Sequence, residues 1–210
     1  MAMAEVLLFH HAQGLTPGVR SFADDLRGGG HIVHTPDLFD GQIFPSLEEG
    51  LAYIETIGFD TLRKRGVRIA DDLPFELVYA GFSFGVLPAQ QLAQTRARAR
   101  GALLFHSCLP IHGEWSFGPW PESVPVQIHA MDNDAIFMGD GDIDAAREIV
   151  EKAGDARLFL YPGDRHYFAD RSLPSYDAEA ARLLTSRVLE FLDRVAHRRR
   201  PRESGDPVNT

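Results

Sequence analysis

The sequence predicts one α/β domain in which helices cover both faces of a mainly parallel sheet of about six to seven strands. Short apolar runs alternate along the chain with longer amphipathic runs, which is typical of repeated strand–helix units. The short runs are apolar throughout, as strands covered on both faces must be. The composition, with 44% apolar and 24% charged residues among 210, is that of an ordinary globular protein.

Each element is predicted from its own pattern. The strands are Val6–His11, His31–His34, Leu77–Ala80, Ala102–His106, Val124–Ala130 and Arg157–Tyr161. The helices between them are Gly18–Arg27, Leu47–Gly66, Phe84–Ala97 and Ile143–Lys152. A final helix is predicted after Pro174, with Ser175 as its N-cap, because apolar residues follow at helical spacing as far as Val195. Since parallel sheets place active sites beyond the carboxyl ends of their strands, the candidates stand directly after each apolar run.

Charge and composition predict the bounds of the domain, its partners and its location in the cell. Residues 1–196 are predicted to form the domain, and residues 197–210 to form a disordered basic tail, because this tail has almost no apolar side chains to bury. A net charge of −9 argues against nucleic acid or an anionic membrane as a partner. The single Cys108, read as a small buried residue, and the lack of a signal peptide or spanning segment predict a cytoplasmic protein.

The strongest motif is GFSFG, residues 81–85, which stands between a predicted strand and a predicted helix. This is the context that the G-x-S-x-G nucleophile elbow requires. The two glycines fit a turn so sharp that larger side chains would collide with neighbouring backbone. Ser83 is therefore the candidate nucleophile, with the start of a helix behind it to favour a developing oxyanion.

A serine nucleophile needs a base and a carboxylate that orients it. His166 lies on the loop between the last strand and the last helix, where a base could reach Ser83. The loop MDNDAIFMGDGD follows the predicted strand Val124–Ala130. It offers Asp132 and Asp134, of which Asp134 is preferred and Asp132 is the alternative. The order Ser83, Asp134, His166 is that of the α/β-hydrolase fold.

An oxyanion hole requires two backbone amides. One would come from Phe84, the residue after the nucleophile, and the other from the loop FHHAQGLTPG after the first strand, at Ala12 or Gln13.

Together, FHHAQGLTPG, GFSFG, the Asp-rich turn and YPGDRHYFAD resemble the dienelactone hydrolase family of small α/β-hydrolases, over nearly the whole chain before the tail. The resemblance implies an α/β-hydrolase fold without a large cap domain, and hydrolysis of esters or lactones by Ser83, Asp134 and His166. In the first loop it assigns the oxyanion amide to Ala12.

The chain departs from the pattern of the best-known members at two places. Those members use a Cys nucleophile held by a Glu of the first loop, whereas this chain has Ser83 and, at the place of the Glu, His11. They also bind a substrate carboxylate through an Arg four residues after the catalytic His, and here that position is Asp170. Asp170 is therefore predicted to face the substrate and to favour neutral esters over acidic ones.

The other candidates concern the pocket, metals and the class of protein. Trp115, Phe117 and Trp120 in HGEWSFGPW are candidates, with His11 and Asp170, for the substrate pocket. The histidines at strand ends show no ligand spacing typical of a metal site, so no metal or cofactor is predicted. The predicted function is a serine hydrolase of small esters, lactones or thioesters; the alternative is a non-catalytic binding protein on a hydrolase scaffold.

Overall fold

The computed structural model describes residues 3–139 and 141–198, and their six strands form one sheet. The strands are β1 Glu5–Phe9, β2 Ile32–His34, β3 Val78–Phe82, β4 Gly101–Phe105, β5 Val126–Met131 and β6 Ala156–Tyr161. Their spatial order is β2-β1-β3-β4-β5-β6, and every neighbouring pair is parallel. The predicted α/β fold with a parallel sheet is confirmed, and no large cap domain is present among the described residues.

Within the described residues, helices connect successive strands, except that β4 and β5 are joined by a loop without a helix. The α-helices within the described ranges are α1 Pro17–Gly28, α2 Leu47–Ile57, α3 Phe59–Ile69, α4 Val86–Thr95, α5 Ala135–Gly139, α6 Asp142–Lys152 and α7 Ala178–His197. Two short 3₁₀ turns lie at Ala70–Asp72 and Ser83–Gly85. Within the described residues, no helix is both long and apolar enough to cross a membrane.

The sheet separates two apolar cores. Along β1, Leu7 and Phe9 face the core that α2 to α6 cover, whereas Val6 and Leu8 face the core under α1 and α7. This alternation with a period of two residues buries both sides of the strand. It explains why the strands are apolar throughout, and the parallel direction of the strands brings all their carboxyl ends to one edge.

The predicted helix Leu47–Gly66 is two helices, because Gly58 breaks it. Gly58 has a φ of 95°, a left-handed conformation that ends α2, and its amide donates to the Ile54 carbonyl at 2.7 Å. The apolar periodicity continues across the break, so periodicity alone does not reveal it. The turn brings α3 back against α4 and the sheet.

Other features of the helices also differ from the prediction. The N-cap of α7 is Asp177 rather than Ser175: the Asp177 carboxylate accepts from the Ala180 amide at 3.0 Å, whereas the Ser175 hydroxyl approaches the Tyr167 carbonyl at 3.4 Å. Helix α7 includes His197, and the predicted tail from residue 199 onward lies outside the described residues. The five-residue helix α5 was not predicted, because so short a segment carries no periodicity.

Candidate active site

The GFSFG segment forms a sharp turn between β3 and α4. Ser83 has a φ of 47°, which is unusual for a residue with a side chain. A Cβ atom at Gly81 would lie 2.2 Å from the Gly85 carbonyl oxygen, and one at Gly85 would lie 2.6 Å from the Phe9 and His10 carbonyl oxygens. Both positions thus require glycine for the steric reason that the sequence suggested, and the turn presents Ser83 at the carboxyl edge of the sheet.

Three side chains that are far apart in the sequence form a hydrogen-bonded chain at this edge. Ser83 Oγ lies 2.9 Å from His166 Nε2, and His166 Nδ1 lies 2.7 Å from Asp134 Oδ2. The second bond fixes the proton on Nδ1, so that Nε2 faces the serine as an acceptor. This arrangement can remove the hydroxyl proton of Ser83 and stabilise the imidazolium that results.

Asp134 is held in place by the short helix that follows it. The side chain is 2% exposed, and its Oδ1 accepts from the Ile136 amide at 3.1 Å, while its Oδ2 faces His166. Asp134 therefore caps α5 and orients the imidazole with its two oxygens.

Asp132, the alternative acid, has another role. It is exposed, and its Oδ1 accepts from the Gly163 amide at 3.0 Å, which connects the loops after β5 and β6. The structure thus brings Asp134, and not Asp132, to His166.

The loop after β1 is held against α2 at Ala12. The backbone of Ala12 is packed against α2 at Gly50, where a Cβ would lie 2.1 Å from the Ala12 carbonyl oxygen. The neighbouring Gln13 is tied to the segment before α2, since the Phe44 amide donates to the Gln13 carbonyl at 3.0 Å. The Ala12 peptide is fixed by these contacts, which is the preorganisation that an oxyanion amide needs.

The sequence model of the dienelactone hydrolase family matches residues 2–196. The chain belongs to this family. It is accordingly a hydrolase that acts on ester bonds, and the resemblance noted in its motifs is confirmed. No curated protein matches the chain.

Solved structures similar to this dienelactone hydrolase family protein share its fold. A dienelactone hydrolase-like promiscuous phosphotriesterase from metagenomic libraries is 18% identical with a TM-score of 0.70, over 91% of this chain and 86% of that one. A proposed dienelactone hydrolase from Klebsiella pneumoniae is 18% identical with a TM-score of 0.66, over 90% and 86%. An esterase from Pyrobaculum calidifontis is 14% identical with a TM-score of 0.56, over 92% and 76%.

The structure corrects the substrate-facing roles predicted for Asp170 and His11 in this family member. The Asp170 side chain is only 2% exposed, and its Oδ2 accepts from His11 Nε2 at 2.8 Å and from the Thr16 hydroxyl. Its Oδ1 accepts from the Ser172 amide at 2.8 Å and the Ser172 hydroxyl at 2.6 Å. Both oxygens are thus used inside the protein, and the preference for neutral esters that was predicted from Asp170 loses its basis.

The His11–Asp170 pair instead supports the loop after β1, which contains Ala12. His11 Nδ1 accepts from the Gln13 amide at 3.2 Å, so its Nε2 carries the proton donated to Asp170. The pKa of Asp170 lies below its usual value: burial would raise it, but the hydrogen bonds from His11, Ser172 and Thr16 outweigh burial. Because Thr16 also caps α1 by accepting from Val19, one carboxylate joins the loop, α1 and the segment after His166.

Replacing Asp170 by Asn is expected to lower the free energy of unfolding by roughly 2–4 kcal/mol at pH 7, because the amide presents two donors to partners that are themselves donors. Urea unfolding of the variant measures this. The lowered pKa means that the stabilisation is complete above about pH 4 and is lost only as the pH falls through that lowered value. The loss should therefore be the same at pH 8 and pH 7, where His11 is neutral in the folded protein. Asp164→Asn, at an exposed position, is the matched control, and an equal loss there would contradict this role.

The aromatic residues of the β4–β5 connection have different surroundings. Trp120 is 5% exposed, and its Nε1 donates to the Val124 carbonyl at 2.8 Å, so it packs the base of the loop in the core. This corrects its predicted place in the substrate pocket. The guanidinium carbon of Arg63 in α3 lies 5.6 Å from the centre of the Phe117 ring. Trp115 is 78% exposed. The pocket roles of Trp115 and Phe117 stay predictions.

Several histidines near the strand ends are fully buried and neutral. Burial lowers the pKa of His10 to about 4 and that of His129 to about 3, and it also lowers the pKa values of His11 and His106. His106 has no hydrogen-bond partner at either ring nitrogen among the described residues. Within the same residues, no group of three or more His, Cys, Asp or Glu side chains could hold a metal ion.

These buried histidines predict a loss of stability in mild acid. A His whose pKa is lowered by folding binds its proton only in the unfolded state between pH 6.5 and the folded pKa, so stability is complete above pH 6.5 and falls below it. His10 and His129 alone should lower the free energy of unfolding by roughly 3 kcal/mol between pH 6.5 and pH 5, because the loss for each residue approaches about 1.4 kcal/mol per pH unit only well below pH 6.5. Urea unfolding at several pH values measures the slope.

Two variants test the source of this slope. His106→Phe removes one buried titratable group without breaking a hydrogen bond, so the free energy of unfolding should fall less steeply with decreasing pH. His112→Gln, at a side chain that is 76% exposed, should leave it unchanged. Equal slopes for the wild type and His106→Phe would contradict the assignment.

Sequence reasoning missed one residue that lies within the site. Tyr167 follows His166 directly, is 4% exposed, and stacks on His11 with ring centroids 4.3 Å apart. Its position beside the candidate base is visible in the sequence, but its burial depends on His11, more than 150 positions earlier. Cys108, in contrast, is buried as predicted, and burial raises the pKa of its thiol well above the usual value.

Proposed function

We propose that this protein is a serine hydrolase that cleaves small carboxylic esters, lactones or thioesters through an acyl-enzyme on Ser83. The observation that carries the proposal is the hydrogen-bonded chain from Ser83 to His166 at 2.9 Å and from His166 to Asp134 at 2.7 Å. Each member has the chemical type that its place requires: a hydroxyl on a strained turn, a base with a fixed tautomer, and a buried carboxylate.

The reaction would proceed in two halves. In the first, Ser83 Oγ bonds to the substrate carbonyl carbon while its proton passes to His166 Nε2, and the oxyanion is bound by the amides of Phe84 and Ala12. The bond to the leaving group then breaks, and His166 returns the proton to the leaving oxygen or sulfur. In the second half, water gives a proton to His166 and attacks the acyl carbon, after which Ser83 recovers its hydrogen and the acid leaves.

The surroundings of Phe84 suggest which acyl groups are accepted. Phe84 follows the nucleophile, and its ring lies 6.1 Å from that of Phe59, which is 45% exposed. An exposed apolar side chain therefore lies next to the ring of the residue whose amide would bind the oxyanion. Since no cap encloses the site in the described residues, small esters with an apolar acyl group fit the proposal best.

The alternative, a binding protein on a hydrolase scaffold, has no need of a complete proton-transfer chain. A binding site gains nothing from a serine at a φ of 47° or from a carboxylate aimed at the far nitrogen of an imidazole. Membership of a hydrolase family also favours catalysis. The cytoplasmic location, the exclusion of nucleic acid and the disordered tail stay predictions.

Covalent labelling tests the proposed nucleophile. A fluorophosphonate probe should label the purified protein at Ser83, as located by mass spectrometry of the labelled peptide, and p-nitrophenyl acetate, butyrate and octanoate should be hydrolysed. Cys108→Ala is the matched control for a thiol nucleophile, and it should label and hydrolyse like the wild type because that thiol is buried. Labelling at Cys108, or none at Ser83, would overturn the proposal.

A further inference from the structure

The Tyr167 hydroxyl is a buried polar group without a bonding partner. The residue is 4% exposed, and its oxygen completes no regular hydrogen bond with any described residue. Leaving such a group unpaired in a protein interior is costly and rare. A buried tyrosine usually forms a hydrogen bond through its hydroxyl, which holds the ring in place, and Tyr167 lacks that bond.

The Tyr167 ring is held between His11, in the loop after β1, and the candidate base His166. It stacks on His11 with centroids 4.3 Å apart at an interplanar angle of 18°, and it lies 4.7 Å from the His166 ring at 45°. His11 is in turn held by Asp170 at 2.8 Å. With both neighbouring rings fixed, the direction of the phenol is fixed too.

The hydroxyl is directed toward the reacting groups. The Ser83 side chain and the Ala12 backbone amide both interact with the phenol oxygen, although neither is aligned into a full hydrogen bond. Burial raises the pKa of Tyr167 to about 12, and these two contacts only partly oppose it. The phenol therefore keeps its proton at neutral pH and has an O–H group to donate.

We propose that the Tyr167 hydroxyl is a third donor to the oxyanion, beside the amides of Phe84 and Ala12. The inference rests on the proposed function of Ser83. In the tetrahedral intermediate, the substrate carbon is bonded to Ser83 and its oxygen is directed at the Ala12 amide. The Tyr167 hydroxyl already lies next to the Ser83 side chain and the Ala12 amide, so this oxygen comes within its reach. The O–H bond can rotate toward it; the tyrosine donates a hydrogen bond and transfers no proton.

An unpaired donor in the free enzyme is suited to this role. A hydrogen bond that forms only when negative charge develops stabilises the transition state more than the bound substrate, and so raises kcat. If the hydroxyl instead occupied the place of the oxyanion, its removal would increase the rate. Removal of the hydroxyl should therefore lower kcat if Tyr167 donates to the oxyanion, and raise kcat if the hydroxyl blocks the place of the oxyanion.

The test is Tyr167→Phe, which keeps the ring and its stacking and removes only the oxygen. We expect kcat for p-nitrophenyl butyrate to fall about 10²-fold with little change in KM, as for the loss of one oxyanion donor. Binding of a trifluoromethyl ketone, which forms a tetrahedral oxyanion on a serine, should weaken by a similar factor. The melting temperature should be equal or higher, because an unpaired buried hydroxyl is removed.

Tyr79→Phe is the matched control. Tyr79 is also buried, but it lies near the amino end of β3, and its hydroxyl accepts from Arg96 at 3.1 Å. This variant should keep kcat and the inhibitor affinity of the wild type. A Tyr167→Phe variant with unchanged or increased kcat and unchanged or increased inhibitor affinity would overturn the role of Tyr167.

The outcomes separate the two proposals. If the wild type neither hydrolyses esters nor takes the fluorophosphonate label at Ser83, the proposed function fails and the role of Tyr167 fails with it. If the wild type does both and Tyr167→Phe equals it in kcat and inhibitor affinity, only the role of Tyr167 fails.

Discussion

Replacing Ser83 by Ala is expected to lower kcat for p-nitrophenyl esters by about four to six powers of ten, because the members of a catalytic triad act as a unit. Removal of the hydroxyl leaves His166 without the proton it would accept at 2.9 Å. Alanine tolerates a φ of 47° no worse than serine, so the turn should form unchanged. Steady-state kinetics with the purified variant, checked by circular dichroism for folding, measure the loss.

Ser186→Ala on the exposed face of α7 is the matched control and should retain full activity. Fluorophosphonate labelling should disappear in Ser83→Ala and persist in Ser186→Ala. Hydrolysis by Ser83→Ala within tenfold of the wild type would assign the reaction to another residue.

Asp134→Asn should lower kcat by about 10⁴-fold. Asparagine preserves the size of the side chain, and its carbonyl oxygen can still accept from the Ile136 amide, so α5 should remain capped. Its NH₂ group, however, would face His166 Nδ1, which favours the tautomer with the proton on Nε2. That nitrogen could then no longer accept the proton of Ser83, and the measured change should lie in kcat more than in stability.

The comparison with Asp132→Asn makes the assignment testable, because both residues follow β5 in the same loop. Asp132 is exposed and bonds to the Gly163 amide, so its replacement should change kcat less than tenfold. The reverse ranking of the two variants would transfer the role of triad acid to Asp132 and leave the roles of Ser83 and His166 unchanged.

The elements of the site that the sequence predicted are those fixed by local geometry. The GFSFG turn needs glycine at positions 81 and 85 because backbone atoms lie within 2.6 Å of where their Cβ atoms would be, and this restriction appears in the sequence as a motif. The alternation of strands and helices likewise fixes which loops share the carboxyl edge. His166 could be predicted because it lies on such a loop.

Contacts between distant segments explain what the sequence left open or misplaced. Beyond Met131, where β5 ends, the direction of each side chain depends on the loop, so spacing alone could not decide between Asp132 and Asp134. Asp170 was predicted to face the substrate, but it occupies space that Gly18 leaves, where a Cβ atom would lie 1.6 Å from Asp170 Oδ1. No periodicity in the sequence records this contact between residues 18 and 170.

The placement of the three proposed triad residues on separate loops has a consequence for protein synthesis. Ser83 follows β3, Asp134 follows β5, and His166 lies between β6 and α7. A nascent chain that has formed β1 to β4 can already display the nucleophile turn, but it has neither the base nor the carboxylate. If these three residues form the proposed catalytic unit, ester cleavage would begin only after the C-terminal third has left the ribosome and docked.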